Sequence, residues 1–146
     1  MKEDEVLNKK AYTKIKFTRF SVALLALITS AAHLYAIPGA YPVVTFYLDI
    51  EIAVYVIIAM VFLLGLKMWY LPSILYNIFN LFIFFLSAFI AIPFVNSQPL
   101  VGHIEFMQYS FGRLFSLIGW IYITIMGIVL LRYDKGSKLN YLLEQY

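Results

Sequence analysis

Four long apolar runs dominate this sequence and limit what it can fold into. They cover residues 20–38, 43–66, 69–95 and 111–131. Each is close to the roughly 20 residues that an α-helix needs to cross the hydrocarbon of a membrane. The runs do not alternate apolar and polar residues, as the strands of a membrane barrel would. The sequence therefore predicts an all-α integral membrane protein, a bundle of four transmembrane helices.

The composition excludes the main soluble classes. Hydrophobic residues make up 63% of the 146 residues and charged residues only 13%, whereas soluble domains are about 45–50% apolar and about 25% charged. A small soluble domain buries only about two thirds of the surface that its chain exposes. The predicted partner is therefore the lipid bilayer and not a nucleic acid. The absence of cysteine from the sequence excludes disulfides and thiolate metal sites.

The lysines and arginines predict the orientation. The tail 1–19 carries six of the 11 basic residues, Lys67 lies between the second and third runs, and residues 132–138 carry three more. Cytoplasmic segments of membrane proteins are enriched in such residues. We therefore expect a cell-membrane protein with a cytoplasmic tail 1–19, a four-helix domain 20–132 and a cytoplasmic tail 133–146.

Both tails contain apolar residues at helical spacing, which is typical of a short helix lying on the membrane surface. These residues are Leu7, Ala11 and Ile15 in the first tail, and Leu139, Leu142, Leu143 and Tyr146 in the second. The alternative is a pair of frayed tails whose lysines only fix the topology.

The first run has a second interpretation as a secretory signal. Basic residues precede the apolar stretch 20–32, which ends in the small residues Ser30, Ala31 and Ala32, as at a cleavage site. The stretch continues in apolar residues through Ile37. That length favours a membrane span over a cleaved signal.

The polar residues at membrane depth are the most informative positions, because an ionisable group in hydrocarbon usually faces the interior of a bundle. With a rise of 1.5 Å per residue, His33 and Glu51 lie at about the same depth, roughly 6 Å from the midplane. Glu51 shares a helix side with Tyr55, whereas Asp49 lies about 200° away, toward the headgroups or Arg113. The candidate buried polar or transport residues are His33, Asp49, Glu51, Asn77, Asn80 and Arg113.

Small and polar residues mark one face on three of the runs. Such residues let helices approach and hydrogen-bond to each other. The faces comprise Ala23, Ala26, Ser30 and His33 in the first run, Ser73, Asn77, Asn80, Ser87 and Ala91 in the third, and Gly112, Ser116, Gly119 and Gly127 in the fourth. The simplest interpretation is that these groups fix the packing register of the helices.

Three functions remain open. The first is a non-enzymatic subunit of a membrane complex, formed with other membrane chains or with itself. The second is a small transporter or proton-conducting unit that uses Glu51 and His33, because a histidine and a carboxylate at one depth can exchange protons. The third is a haem- or quinone-associated electron-transfer anchor, with His33 and His103 as the only histidines that could bind haem. No metal or catalytic motif is found, so we predict neither an enzyme nor a metal site, and no cofactor beyond that haem alternative.

Overall fold

The protein is an all-α bundle. A computed structural model describes residues 2–38, 42–87, 89–90, 92 and 111–137, with side chains from residue 11 onward except at 111 and 113. Four α-helices and one short 3-10 helix account for most of these residues, and no strand occurs among them. The helices are α1 (Lys2–Ala36), α2 (Pro42–Leu64), α3 (Tyr70–Leu86) and α4 (Phe111–Tyr133), with the 3-10 helix at Lys67–Trp69. The predicted fold class is confirmed at this level.

All four helices are long and apolar enough to cross a membrane, over residues Ala11–Ala36, Pro42–Leu64, Lys67–Leu86 and Leu114–Tyr133. Their outer surface is apolar: Leu34, Phe46, Phe82 and Ile125 are each more than half exposed. The interior, by contrast, contains a histidine, a glutamate and two asparagines. This inside-out distribution suits lipid as the surrounding medium, since a soluble protein rarely exposes apolar patches of this extent.

The first helix is longer than the sequence predicted. It runs without interruption for 35 residues from Lys2 to Ala36, or about 52 Å at 1.5 Å per residue. The stretch contains no glycine or proline, so nothing in it breaks the helix. The predicted separate surface helix in the first tail is therefore wrong. Its counterpart in the second tail lies outside the described residues.

The third helix is shorter than its apolar run, which was predicted to span 69–95. It ends at Leu86, and Ser87 Oγ then donates a hydrogen bond of 2.7 Å to the Phe84 carbonyl. The amides of Phe89 and Ile90 both donate to the Leu86 carbonyl. A serine that bonds to the backbone competes with helical hydrogen bonds, and hydropathy does not report that competition.

The helices run alternately up and down. α1 packs along both α2 and α4, α3 packs mainly along α4, and the backbones of α2 and α3 come close at few positions. α2 ends at Leu64 and is followed by Gly65, whose φ of 67° is a conformation that glycine adopts without strain. The amide of Leu66 donates to the Val61 carbonyl at 3.0 Å, as at many helix ends. The chain thus turns tightly into α3.

Glycines bring α4 close to its neighbours. A Cβ atom on Gly119 would lie 2.0 Å from Thr29 Oγ1 of α1, and one on Gly127 would lie 2.8 Å from Ile74 Cγ1 of α3. Close backbone approach through small residues is a main source of helix association in lipid, where the hydrophobic effect between helices is absent.

Gly119→Ala is expected to separate α1 from α4. The added methyl group collides with Thr29 Oγ1, and overpacking of this kind costs about 1–3 kcal/mol. The free energy of unfolding, measured by titration of mild-detergent micelles with a denaturing detergent, should fall by that amount. In the Gly119→Ala/Thr29→Ala double variant part of the loss should be recovered. If the losses in unfolding free energy from the two substitutions simply add, this packing is contradicted.

Candidate functional site

The buried polar site begins on α1 with His33, which is 6% exposed. Its Nδ1 lies 2.7 Å from the Thr29 carbonyl oxygen, one helical turn earlier. A carbonyl oxygen only accepts hydrogen bonds, so Nδ1 carries the hydrogen. The other ring nitrogen, Nε2, lies 3.9 Å from Oε2 of Glu51 on α2.

The Glu51 carboxylate is 1% exposed and receives hydrogen bonds on both of its oxygens. The Tyr76 hydroxyl donates to Oε1, and Asn80 Nδ2 donates to Oε2 at 2.9 Å. Tyr47, one turn before Glu51 on α2, also hydrogen-bonds to the carboxylate. A buried carboxylate is costly unless such partners compensate for the lost water.

Tyr55 of α2 extends the network around this carboxylate to a second asparagine of α3. Its hydroxyl donates to Asn77 Oδ1 at 3.1 Å and accepts from Asn80 Nδ2 at 3.2 Å. Asn77 Nδ2 in turn donates to the Ser73 carbonyl at 2.7 Å. Long polar side chains thus fill the seam between α2 and α3, whose backbones come close at few positions.

Aromatic rings enclose the site on the other side. The His33 ring is stacked on Tyr55, with 5.6 Å between centroids and 8° between planes. The ring centroid of Trp120 on α4 lies 6.2 Å from that of His33 and 5.8 Å from that of Phe84 on α3. All four helices therefore contribute to what we call the Glu51 centre: His33, Tyr47, Glu51, Tyr55, Tyr76, Asn77, Asn80 and Trp120.

Two fully buried polar atoms of the Glu51 centre have no hydrogen-bond partner within the described residues. They are Asn80 Oδ1, an acceptor, and Trp120 Nε1, a donor. Apart from Trp120, every polar side chain of the centre makes at least one hydrogen bond. The centre is therefore a nearly complete network built around a single carboxylate.

The predicted site residues fall into three groups. His33, Glu51, Asn77 and Asn80 come together in the Glu51 centre. Asp49 is exposed on the far side of α2. The Arg113 side chain and His103 lie outside the described residues, so the haem alternative, which requires His103, concerns a part of the chain that the structure does not describe.

Sequence reasoning missed the roles of Tyr47 and Tyr76. The signal was present, because Tyr47, Glu51 and Tyr55 are spaced four residues apart, as are Tyr76 and Asn80. Side chains four residues apart lie on one helix face. Tyrosine is also common at membrane surfaces, and hydropathy does not distinguish that use from a buried donor.

A second polar cluster closes the opposite end of the bundle. Arg19 Nε and Nη2 donate to both carboxylate oxygens of Asp134, which is 2% exposed. The Tyr70 hydroxyl donates to Asp134 Oδ2 at 2.8 Å, and the Gly136 amide donates to Oδ1 at 2.9 Å. We call Arg19, Tyr70, Asp134 and Gly136 the Arg19 cluster. From the sequence, Arg19 is predicted only to contribute to the orientation of the chain in the membrane.

The Arg19 cluster also holds two turns together. A Cβ atom on Gly65 would lie 2.2 Å from Arg19 Nη1, so the guanidinium packs directly on this turn. The Ser137 amide donates to the Gly65 carbonyl at 3.0 Å. The segment after α4 is thereby tied to the turn after α2.

The core between the Glu51 centre and the Arg19 cluster is mainly apolar, although it also contains Ser73 and the buried hydroxyl of Thr124. Its buried side chains include Ala26 of α1, Ala59 and Phe62 of α2, and Ile123 of α4. The two polar clusters are therefore separate.

Comparisons with known protein families, curated proteins and solved structures found no match to this chain. Among the described residues, no group of three or more histidine, aspartate or glutamate side chains could hold a metal ion. The functional argument therefore rests on the chain's own geometry.

Asp134→Asn is expected to destabilise the bundle at neutral pH. Hydrogen bonds to a charged group contribute about 1.5–3 kcal/mol each, and the substitution weakens the bidentate pairing with Arg19. The free energy of unfolding should fall by at least that amount. Arg132→Gln at the same end of the bundle is the control, because Arg132 is exposed. Equal losses in the two variants would contradict a stabilising role for the ion pair.

The Asp134 contribution should also depend on pH. Burial by itself would raise the pKa of this carboxyl, but hydrogen bonds from Arg19, the Gly136 amide and Tyr70 outweigh it and lower the pKa below the usual value. Because the folded pKa is the lower one, the stabilisation is present above the unfolded pKa of about 3.9 and fades as the pH falls through the folded pKa. The difference between wild type and Asp134→Asn should shrink below about pH 4.

Proposed function

We propose that this chain is a small multi-pass membrane protein that acts, without catalysing a reaction, as a subunit of a membrane complex or oligomer. The observation that carries the proposal is the exposed carboxylate of Asp49 within a helix that is otherwise apolar on its outer face. The Glu51 centre and the Arg19 cluster stabilise the bundle internally, and Asp49 faces away from it.

Asp49 lies deep within its helix. The midpoint of α2, which runs from Pro42 to Leu64, is residue 53, so Asp49 is about 6 Å from it along the axis. The hydrocarbon extends about 15 Å to either side of the membrane centre. A charged side chain near that centre costs about 2.5–3.5 kcal/mol on insertion scales, and such residues usually have a partner.

The surroundings of Asp49 suit a neighbouring helix. Thr45, Asp49 and Ala53 are four residues apart and thus lie on one face, and Ala53 is exposed. The flanking Phe46 and Ile50 are 69% and 45% exposed. Small side chains on either side of a carboxylate let a partner helix approach and donate a hydrogen bond or a positive charge.

The apolar core between the two polar clusters favours this subunit role over transport by Glu51 and His33. Conduction across the bundle would require polar groups through the layer that contains Phe62 and Ile123, both fully buried. The Glu51 centre supports proton exchange at one depth, and its hydrogen bonds extend on α3 as far as the Ser73 carbonyl.

We further propose that the protein resides in the cell membrane with both termini in the cytoplasm. The support is the charge distribution: Lys14, Lys16 and Arg19 lie in the first part of the first span, and Arg132 and Lys135 lie at the end of the last. Basic residues next to spans favour the cytoplasmic side. The alternation of the helices places both of these groups at the same end of the bundle.

Single-cysteine labelling tests this topology, since the chain has no cysteine of its own. Cysteine at Pro38, which is exposed in the turn after α1, should react with an impermeant maleimide in intact cells. Cysteine at Lys135, exposed after α4, should react only after permeabilisation. The reverse pattern would contradict the proposed orientation.

Asp49→Leu tests the subunit role. Tagged protein, expressed in the source cells and extracted with mild detergent, should form particles larger than the 16.9 kDa chain, because a neighbour compensates Asp49. The substitution should reduce these particles to the single chain without lowering its unfolding free energy. Particle mass is measured by light scattering after size exclusion.

Two controls separate charge from shape at this surface. Asp49→Glu keeps the carboxylate and should keep the large particle. Met60→Leu, on the same exposed face of α2, should keep it as well. A wild-type protein that is extracted as a single chain, or an Asp49→Leu particle of unchanged mass, would overturn the proposal.

A further inference from the structure

We propose that the end of the bundle that carries the Arg19 cluster is a binding surface for the headgroups of anionic phospholipids. Two pairs of basic side chains hold these headgroups: Lys16 with Lys67 at the seam between α1 and α2, and Lys14 with Arg132 at the seam between α1 and α4. This inference does not depend on the subunit role, because it concerns the contacts of a single chain with lipid.

The four basic side chains lie at one end of the bundle because the Arg19 cluster joins the segments that carry them. Arg19 of α1 packs on Gly65, after α2, and pairs with Asp134, after α4. Each of the four lies within five residues of one of these three positions in the sequence. They are Lys14, Lys16, Lys67 and Arg132. All are exposed except Lys67, which is half-buried.

Lys16 lies on the side of α1 that faces α2. Ser30 marks this side, because its Oγ donates to the Ile52 carbonyl of α2 at 3.1 Å. Lys16 is 14 residues earlier in the sequence, which places it about 40° from Ser30 around the helix. Lys67 follows α2 directly, two residues after Gly65. Lys16 and Lys67 therefore flank the same seam.

Lys14 lies on the other side of α1, toward α4. Ser21 marks that side, because its Oγ lies 2.8 Å from the Tyr122 hydroxyl oxygen of α4. Lys14 is seven residues earlier, or about 20° from Ser21 around the helix. Arg132 lies in the last turn of α4, about 80° from Tyr122. Lys14 and Arg132 therefore flank the seam between α1 and α4.

The positive charge at this end exceeds the negative charge. Within the described residues, Asp134 is the only acidic side chain there, and Arg19 pairs with it inside the cluster. The described side chains at the opposite end include Asp49 and Glu51 but no lysine or arginine. The charge of the two basic pairs thus remains to attract an anion from outside the chain.

Exposed aromatic rings beside the basic pairs favour lipid over a soluble acidic partner. They are Tyr12, Phe17, Trp69 and Tyr133, which are 49–71% exposed. Three of the spans begin or end here, at Ala11, Lys67 and Tyr133. Aromatic side chains are enriched where hydrocarbon meets the headgroups, and basic side chains at that level attract anionic lipids. A nucleic acid or a soluble protein would have to displace lipid from these rings.

Spin-labelled lipids test the proposal in bilayers of phosphatidylcholine with a minor share of phosphatidylglycerol. Electron spin resonance separates the lipids immobilised by the protein from the free ones. Labelled phosphatidylglycerol should associate at least about threefold more strongly than labelled phosphatidylcholine, because one basic residue favours an anionic headgroup roughly fivefold and the measurement averages over the whole perimeter. The ratio should fall toward one at about 1 M salt, which screens exposed charges.

Substitution of either basic pair should remove about half of this preference. The two variants are Lys16→Gln/Lys67→Gln and Lys14→Gln/Arg132→Gln, and each removes two positive charges from one seam. The ratios are compared at equal amounts of folded protein, measured by circular dichroism.

The matched control is Lys2→Gln/Lys9→Gln, which removes the same charge from the part of α1 that precedes the first span. These two residues lie about 18 and 8 Å beyond Lys14 along the helix, so the control should lose less than half as much preference as either seam variant. A wild-type ratio of one, or an equal loss in the control, would overturn the proposal.

Discussion

The buried carboxylate of Glu51 is the constraint on which the arrangement of α2 and α3 depends. A carboxyl group in a low-dielectric interior must be compensated by donors held at hydrogen-bond distance. Two of those donors, Tyr76 and Asn80, come from α3, across a seam where the two backbones come close at few positions. Rotation or sliding of α3 would remove both donors from the carboxyl group, so the network determines the register of this pair.

The helix pairs of the bundle are held by two different means. α1 and α4 meet through small residues, with Gly119 against Thr29, whereas α2 and α3 meet through long polar side chains. In lipid, apolar surfaces gain little by leaving their solvent, so close packing and hydrogen bonds must specify the contacts. The Arg19 cluster adds a third restraint at the opposite end, where it connects α1, the start of α3 and the segment after α4.

Hydropathy and helical periodicity predict part of this structure and fail for identifiable reasons. Depth along the helices suggested that His33 and Glu51 share one level, and helical spacing suggested that they and Asn80 face inward, because both properties follow from the geometry of a single helix. The pairing of Arg19 with Asp134 joins residues 115 positions apart. It depends on how helices rotate against each other, which no local pattern records. The end of α3 at Leu86 was not predicted for a different reason, since Ser87 bonds to the backbone there and hydropathy does not report that bond.

Asp49 and Glu51 place one carboxylate of α2 on the outer surface of the bundle and the other in its interior. The two carboxylates are about 200° apart around α2, so when Glu51 enters the interior Asp49 must face outward. Moving Asp49 inward would expose Glu51 and leave the donors of Tyr76 and Asn80 without an acceptor. Each unsatisfied group would cost about 1–3 kcal/mol. The bundle therefore cannot compensate Asp49 by rotating α2. Compensation has to come from a group outside the described residues of the bundle, which is the physical basis for proposing a neighbouring chain at this face.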